Sequence, residues 1–123
     1  MNQFLLVFLG GGLGSGIRYL ISGYLNNSTF PLGTLTVNVI GSLLMGILLG
    51  ELLRNHNLST SLLLFLATGF CGGFTTFSAF AFENMEFLKN GDYPNFLLYT
   101  FGSLTFGIAA IFLGIWISKT IIA

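Results

Sequence analysis

The sequence predicts an all-α integral membrane protein with four transmembrane helices, the third of them broken near its middle. Two observations favour this class. Hydrophobic residues make up 54% of the chain and charged residues only 7%, whereas roughly a quarter of a soluble domain is charged. Charge-free runs cover residues 19–50, 55–82 and 93–118, and each exceeds the ~20 apolar residues that a spanning helix needs. With 123 residues, the chain predicts a single domain.

The N-terminal segment is predicted to be a transmembrane span rather than a cleaved signal peptide. Residues 1–17 are uncharged, and they are long enough to span if Arg18 lies near a membrane edge or faces protein. A cleaved signal peptide needs Lys or Arg before its apolar stretch, and residues 1–3 contain neither. One four-helix domain over 1–123 is therefore expected, with spans near 3–25, 32–54, 60–88 and 95–118. Short linkers of turn residues at 26–29, 55–57 and 90–92 separate these spans.

The third predicted span is too long for a straight helix. Residues 60–88 would extend ~43 Å, against a hydrocarbon core of about 30 Å. Adjacent glycines followed by two threonines, within 69–76, are poor helix formers and predict a break there. Unwound backbone at membrane depth must be buried in protein or line a wet cavity, where its carbonyls can bind cations. A packing kink is the alternative interpretation.

Glycine pairs spaced four residues apart predict close helix packing. In lipid, small residues let two helix backbones approach each other. Four such pairs occur in the sequence: Gly10 with Gly14, Gly12 with Gly16, Gly46 with Gly50, and Gly69 with Gly73. Most of the glycines are therefore expected to be packing positions.

The basic residues give the chain no preferred orientation. With the N-terminus inside, Arg54 and Lys119 would lie inside, and Arg18 and Lys89 outside. Orientation normally follows an excess of Lys and Arg on the cytoplasmic side. A two-against-two count therefore predicts dual topology, in which inverted copies pair as an antiparallel two-fold dimer.

Several functional classes are excluded by what the sequence lacks. No nucleophile–base set or cofactor motif indicates an enzyme. Cys71 is the single cysteine, so neither a disulfide within the chain nor a cysteine metal cluster is expected. The net charge is zero and no basic patch indicates a nucleic-acid partner. Glu83 and Glu86 follow the break and approach an interface, where a solvated helix end is expected for them and the lining of an aqueous vestibule is the alternative. No ionisable group is therefore expected at the midplane for proton-coupled transport.

Neutral polar residues at membrane depth are the remaining candidates. Asn38 lies early in span two, and its amide must face protein or a pore. Phe77 and Phe80, three residues apart, share one helical face, and their ring edges carry partial positive charge. The hydroxyl of Ser78 and the i,i+4 pair Tyr99 and Ser103 can donate hydrogen bonds. Together these residues suit a small, strongly hydrated anion, although aromatic stripes are by default packing surfaces.

Three segments resemble the Fluc/CrcB fluoride channels. They are GGGLGSGIRY at 10–19, GTLTVNVIG at 33–41 and GFCGGFTTFSAF at 69–80. The third is the specific one, and the resemblance covers essentially the whole chain. It implies an antiparallel homodimer in the cell inner (plasma) membrane that passively exports fluoride through two pores and relieves fluoride toxicity.

The resemblance also implies roles for individual residues. A central structural sodium ion would be held by the backbone carbonyls of Gly72 and Thr75 in both subunits. Asn38, Phe77, Phe80, Ser78, Tyr99 and Ser103 would line the pore, and Arg18 would lie near a vestibule. One departure is Ala79, where many members of the family have a hydroxyl residue. Because the chain keeps Asn38 and both phenylalanines, self-pairing is favoured over pairing with a second subunit.

Two other functions remain open from the sequence. A small multidrug-type dual-topology transporter also has four spans, but such carriers have a carboxylate in span one, and residues 4–17 contain none. A non-transporting membrane assembly subunit would explain the packing glycines. It would not explain Asn38 together with the threonine and phenylalanine array.

Overall fold

Each predicted span is helical in the structure, a computed structural model that describes residues 2–55 and 58–122. The four apolar helices are long enough to cross a membrane, which confirms a multi-pass membrane protein with one bent span. His56 and Asn57, in the predicted second linker, lie outside the described residues. The helices are α1 (Asn2–Leu25), α2 (Leu32–Asn55), α3 (Thr60–Leu63, then π-helical Leu64–Cys71, then Gly72–Phe74), α4 (Phe77–Lys89) and α5 (Tyr93–Ile117), which ends in a π-helical turn (Ser118–Ile122).

Side chains in the linkers cap the helices. The Asn26 side-chain oxygen accepts from the N–H groups of Gly33 and Thr34 at 2.7 and 3.1 Å, so it caps α2 from outside that helix. Between α4 and α5, Gly91 has a φ of +72°, a backbone conformation that favours glycine. Asp92 then caps α5 by accepting from the Asn95 N–H at 3.4 Å. These caps hold the hairpins that bring the spans together.

Glycines in α1 and α3 let these two helices pack at very short range. A Cβ at Gly14 would overlap the Phe70 carbonyl, and a Cβ at Gly73 would overlap the Gly11 carbonyl. The same arrangement joins α2 to α5, where a Cβ at Gly46 would overlap the Ile111 carbonyl. Packing through small residues is thus confirmed for these glycines.

The break in the third span lies at the threonines. Thr75 and Thr76 are extended, with φ, ψ of −85°, 156° and −148°, 119°. Gly69 and Gly73, by contrast, are helical and contact α1. The sequence places the break near 69–76, and the structure narrows it to the end of that range. The glycines therefore permit close approach, and the β-branched pair interrupts the helix.

Substituting Gly14 with alanine is expected to separate α1 from α3. The new Cβ would overlap the Phe70 carbonyl and lie 2.8 Å from the Phe74 nitrogen, and backbone atoms cannot move without shifting the helix. We expect a loss of about 1–3 kcal/mol in the free energy of unfolding, as for overpacked cores. The measurement is thermal unfolding of the detergent-solubilised protein. The control is Gly102→Ala, because a Cβ there has no described atom within 4 Å; equal stability of the two variants would contradict the packing role.

Candidate functional site

The Asn38 side chain pairs with the interrupted backbone of the third span. Its Oδ1 accepts from the Thr76 N–H at 2.8 Å, and its Nδ2 donates to the Thr76 carbonyl at 3.3 Å. These two bonds satisfy a donor and an acceptor that a continuous helix would have satisfied internally. The Thr76 hydroxyl in turn caps α4 by accepting from the Ala79 N–H at 3.1 Å. A single amide from α2 therefore stabilises the discontinuity between α3 and α4.

The break removes the usual helical donors of the main-chain carbonyls of residues 72–75. In a continuous helix the Thr76 N–H would donate to the Gly72 carbonyl, but it donates to Asn38 instead. The Ala79 N–H would likewise donate to the Thr75 carbonyl, but it donates to the Thr76 hydroxyl. Gly72 and Thr75, the two positions predicted to bind sodium, are thus among the carbonyls that lose their usual helical donors, and sodium binding there stays a prediction.

Arg18 contacts the same break from α1. Its Nε donates to the Gly73 carbonyl at 3.0 Å, and the Ser15 hydroxyl donates to that oxygen at 3.3 Å. The guanidinium therefore interacts with the C-terminal end of α3, where the helix dipole favours positive charge. Arg18 thus faces protein, one of the two settings that the sequence allows, and its place near a vestibule stays a prediction.

A cavity of about 290 Å³ opens beside the break, between α2, α4 and α5. It contains four of the predicted pore residues. The rings of Phe77 and Phe80 lie on one face with centroids 6.0 Å apart and planes tilted by 45°. The lining combines amide, hydroxyl and aromatic groups: Asn38, Ser42, Thr75, Thr76, Phe77, Phe80, Ser103, Leu104 and Gly107.

Tyr99 and Ser78, the other two predicted pore residues, lie outside the lining of this cavity. The Tyr99 hydroxyl donates to the Glu83 carboxylate at 2.7 Å, and the Thr34 hydroxyl donates to its other oxygen at 2.8 Å. Ser78 is exposed, with its hydroxyl 3.3 Å from that of Thr76. The expectation of a solvated Glu83 at a helix end is wrong, because this carboxylate is partly buried and joins α2, α4 and α5.

An aromatic cluster surrounds the Tyr99 ring. Its centroid lies 5.0 Å from that of Phe80, 5.4 Å from that of Phe30 and 6.0 Å from that of Phe87. Tyr99 therefore contacts Phe80, which also contacts Phe77. Glu83, one turn after Phe80 on the same helix, holds the Tyr99 hydroxyl and so anchors a neighbour of the Phe80 ring.

A second, smaller cavity lies at the α1–α2 linker. It has a volume of about 150 Å³ and is lined by residues 26–31 together with Glu83, Glu86 and Phe87. Glu86 thus faces an opening, consistent with its predicted position near an interface. The carboxylates of Glu83 and Glu86 border this opening, and Glu83 also accepts the hydrogen bond from Tyr99.

Sequence reasoning missed several residues of the site. Ser42 lies four residues after Asn38 and its hydroxyl donates to the Asn38 carbonyl at 2.7 Å, so same-face spacing could have identified it. Glu83 follows Phe80 by three residues, so the same spacing argument could have identified it. Thr34 lies within the 33–41 segment, but its partner Glu83 is 49 residues away, and no local pattern predicts that contact.

The fold and the site define a class of small multi-pass membrane proteins whose polar cavity is built around a discontinuous helix, an arrangement typical of ion and solute pathways. The family profile for CrcB-like proteins (camphor resistance) matches residues 5–115. The chain belongs to this family, as the three motif segments predict.

Relatives support this assignment over nearly the whole chain. A protein of Gloeothece citriformis named fluoride-specific ion channel FluC is 52% identical over 123 residues, which covers 97% of this chain and 98% of the relative. A Phocaeicola vulgatus protein of the same name is 47% identical, covering 97% of this chain and all of the relative. The corresponding protein of Azobacteroides pseudotrichonymphae is 41% identical over 117 residues, covering 93% of this chain and 94% of the relative. These relatives are named as channels, so the family is one of channels rather than enzymes.

Proposed function

We propose that the chain forms a fluoride channel in the plasma membrane that passively exports fluoride and relieves its toxicity. The observation that carries the proposal is the cavity at the helix break, where the Asn38 amide, hydroxyl groups and the rings of Phe77 and Phe80 converge. The relative from Gloeothece citriformis, 52% identical, is named for this activity. The cavity supplies the amide, hydroxyl and aromatic groups that suit a fluoride pathway.

The lining suits fluoride on physical grounds. Fluoride is small and strongly hydrated, so a pathway must replace its water with closely spaced donors. Hydroxyl and amide N–H groups donate hydrogen bonds, and the edges of aromatic rings carry partial positive charge. These groups are neutral and do not trap the ion as a fixed cation at the midplane would. Arg18 contacts the break from the side, where its charge raises the local concentration of anions.

The working unit in this proposal is an antiparallel homodimer with two pores. Phe77 lines the cavity yet is 79% exposed in the single chain, so a second subunit is needed to close the pathway. Gly12 and Gly16 add a face of α1 on which a Cβ would meet no described atom within 4 Å, and this face suits close packing by another helix. The two-against-two count of basic residues supports inverted copies.

A structural sodium ion at the centre of the dimer fits the residues present. Among the described residues, no group of three His, Cys, Asp or Glu side chains is arranged to hold a metal, so carbonyls are the donors to consider. The Gly72 and Thr75 carbonyls lack their helical donors, and two from each subunit would give four neutral oxygens, which suit a hard cation. Sodium would supply positive charge that stabilises these carbonyl dipoles and ties the two breaks together.

Removing sodium tests this part of the proposal. We expect dimers transferred into N-methyl-D-glucamine buffer to dissociate or lose fluoride flux, with recovery when sodium is restored. Mass photometry measures the dimer and an electrode measures the flux. In the control, choline, another large organic cation, takes the place of N-methyl-D-glucamine. We expect the dimer and the flux to behave in choline as they do in N-methyl-D-glucamine. Full flux and a stable dimer after exhaustive sodium removal would contradict a structural ion.

Fluoride efflux from proteoliposomes tests the function itself. We expect a fluoride electrode to record rapid efflux from vesicles that contain the protein, and no chloride efflux under the same gradient. Protein-free vesicles are the control for leak. Absence of fluoride flux from vesicles with verified insertion would refute the channel and favour an assembly subunit, and flux of cationic drugs would favour the multidrug-type transporter.

A further inference from the structure

Three buried polar atoms on α4 and α5 have no hydrogen-bond partner in the part of the chain that the structure describes. They are Asn84 Oδ1, Thr100 Oγ1 and Ser103 Oγ. Asn84 is only 8% exposed, although it lies within a span surrounded by lipid. A polar group at this depth is unfavourable unless something hydrogen-bonds to it. These atoms therefore indicate a ligand between the two helices.

The helical register directs Asn84 toward α5. Phe80, Asn84 and Phe87 follow one another at i, i+4 and i+7, so they share one face of α4. The flanking rings of Phe80 and Phe87 both contact Tyr99 of α5, with centroid distances of 5.0 and 6.0 Å. Asn84 lies between these two contacts and therefore faces the same helix.

On α5, Thr100 and Ser103 are one helical turn apart. Ser103 lines the 290 Å³ cavity together with Phe80. Because α4 and α5 are antiparallel and joined by a short turn, the step from Phe80 to Asn84 runs in the same direction as the step from Ser103 to Thr100. The unpartnered atoms thus extend the polar lining of the cavity toward the α4–α5 turn, beyond the Phe80 ring.

We propose that a buried water molecule is bound between α4 and α5 by Asn84 and Thr100, with Ser103 linking it to the cavity. The Asn84 oxygen only accepts hydrogen bonds, so its partner must donate. Fluoride cannot donate, whereas water donates and accepts and can satisfy the carboxamide and the hydroxyls together. Water is therefore the occupant that fits all three groups.

In the proposed channel, on which this functional step rests, the water lies next to Phe80 at the end of the aromatic pair. An ion leaving the ring edges can there regain one hydrogen-bond donor before it reaches bulk solvent. Asn84 and Thr100 are then positioning residues that hold this water. They act on the ion through the water without touching it.

High-resolution maps of the intact dimer, prepared once in sodium fluoride and once in sodium gluconate, test the site directly. We expect a density peak within hydrogen-bond distance of Asn84 Oδ1 and Thr100 Oγ1 under both conditions. A peak that needs fluoride would identify an anion subsite and overturn the proposal, as would an empty site in both maps. Because these maps need neither conduction nor a variant, they decide the site even if the protein carries no fluoride.

Fluoride efflux from Asn84→Leu, Thr100→Val and the double variant tests the functional step. If one water serves both residues, we expect each single variant to lose about five- to tenfold in flux and the double variant to lose no more than either one. Thr105→Val, which removes an exposed hydroxyl from the same helix, is expected to conduct normally. Multiplicative losses in the double variant, or unchanged flux in both single variants, would refute the shared water.

Discussion

Replacing Asn38 with leucine is expected to lower fluoride flux strongly and to destabilise the broken span. Leucine has a similar size but offers neither donor nor acceptor, so the Thr76 N–H and carbonyl lose the bonds of 2.8 and 3.3 Å that Asn38 now makes. Each unpaired buried group costs about 1–3 kcal/mol. We expect the flux to fall by at least about tenfold, since 1.4 kcal/mol already corresponds to that factor. Proteoliposome efflux and thermal unfolding in detergent measure the two effects.

Two further variants separate the structural effect of Asn38 from its effect on the ion. Ser42→Ala removes a hydroxyl from the same cavity, but that hydroxyl already donates its one proton to the carbonyl of Asn38 in its own helix. We expect it to retain stability and most of the flux. Asn38→Asp keeps the acceptor for the Thr76 N–H but adds a negative charge to the lining, so it should fold better than the leucine variant and still conduct poorly. Wild-type flux in Asn38→Leu would remove Asn38 from the pathway.

The four spans could be predicted from the sequence because hydrophobicity adds up over the many residues of each span. Three charge-free runs exceed the ~20 residues that span a bilayer, and short polar linkers separate the spans. The uncharged residues 1–17 are expected to form a first span together with Arg18 and the residues that follow it. The break was also predictable, since adjacent glycines followed by two threonines are poor helix formers. Length alone does not predict it, because the fourth span continues over residues 93–121 without a break. The position of the break was not predictable, because glycine both weakens helices and allows two helices to pack closely. At Gly69 and Gly73 it allows contact with α1, and only the partner helix distinguishes this use from unwinding.

The site was predictable where its residues share one helical face and less so where they meet across helices. The shared helical face of Phe77 and Phe80 follows from their spacing, and their ring contact agrees with it. Their role as pore residues rests on the resemblance and stays a prediction. The bonds from Thr34 and Tyr99 to Glu83 join residues 49 and 16 positions apart. From sequence alone, a carboxylate near the end of an apolar segment is expected to be solvated. Only the three-dimensional arrangement of α2, α4 and α5 brings two hydroxyl donors to it.

Replacing Phe80 with isoleucine is expected to suppress fluoride flux while leaving the dimer intact. The Phe80 ring lines the cavity and contacts both Phe77, at 6.0 Å, and Tyr99, at 5.0 Å. Isoleucine has no ring edge of partial positive charge to meet an anion, and its smaller side chain leaves Tyr99 without its neighbour. A loss of about 1–3 kcal/mol of ion stabilisation, the size of a single hydrogen-bonding group, would lower the flux by about ten- to a hundredfold. Efflux with a fluoride electrode measures the flux, and mass photometry measures the dimer.

Phe82→Ile is the matched control for this prediction. Phe82 lies on the same helix, is 60% exposed and does not line the cavity, so the substitution removes an equal ring from a surface that faces lipid or a partner subunit. If both variants stay dimeric and only Phe80→Ile loses flux, the loss comes from the ring in the pathway and not from the hydrophobicity of α4. Normal conduction in Phe80→Ile would show that the ring edge is dispensable. The hydroxyl and amide donors of α2, α5 and the break would then carry the ion without it.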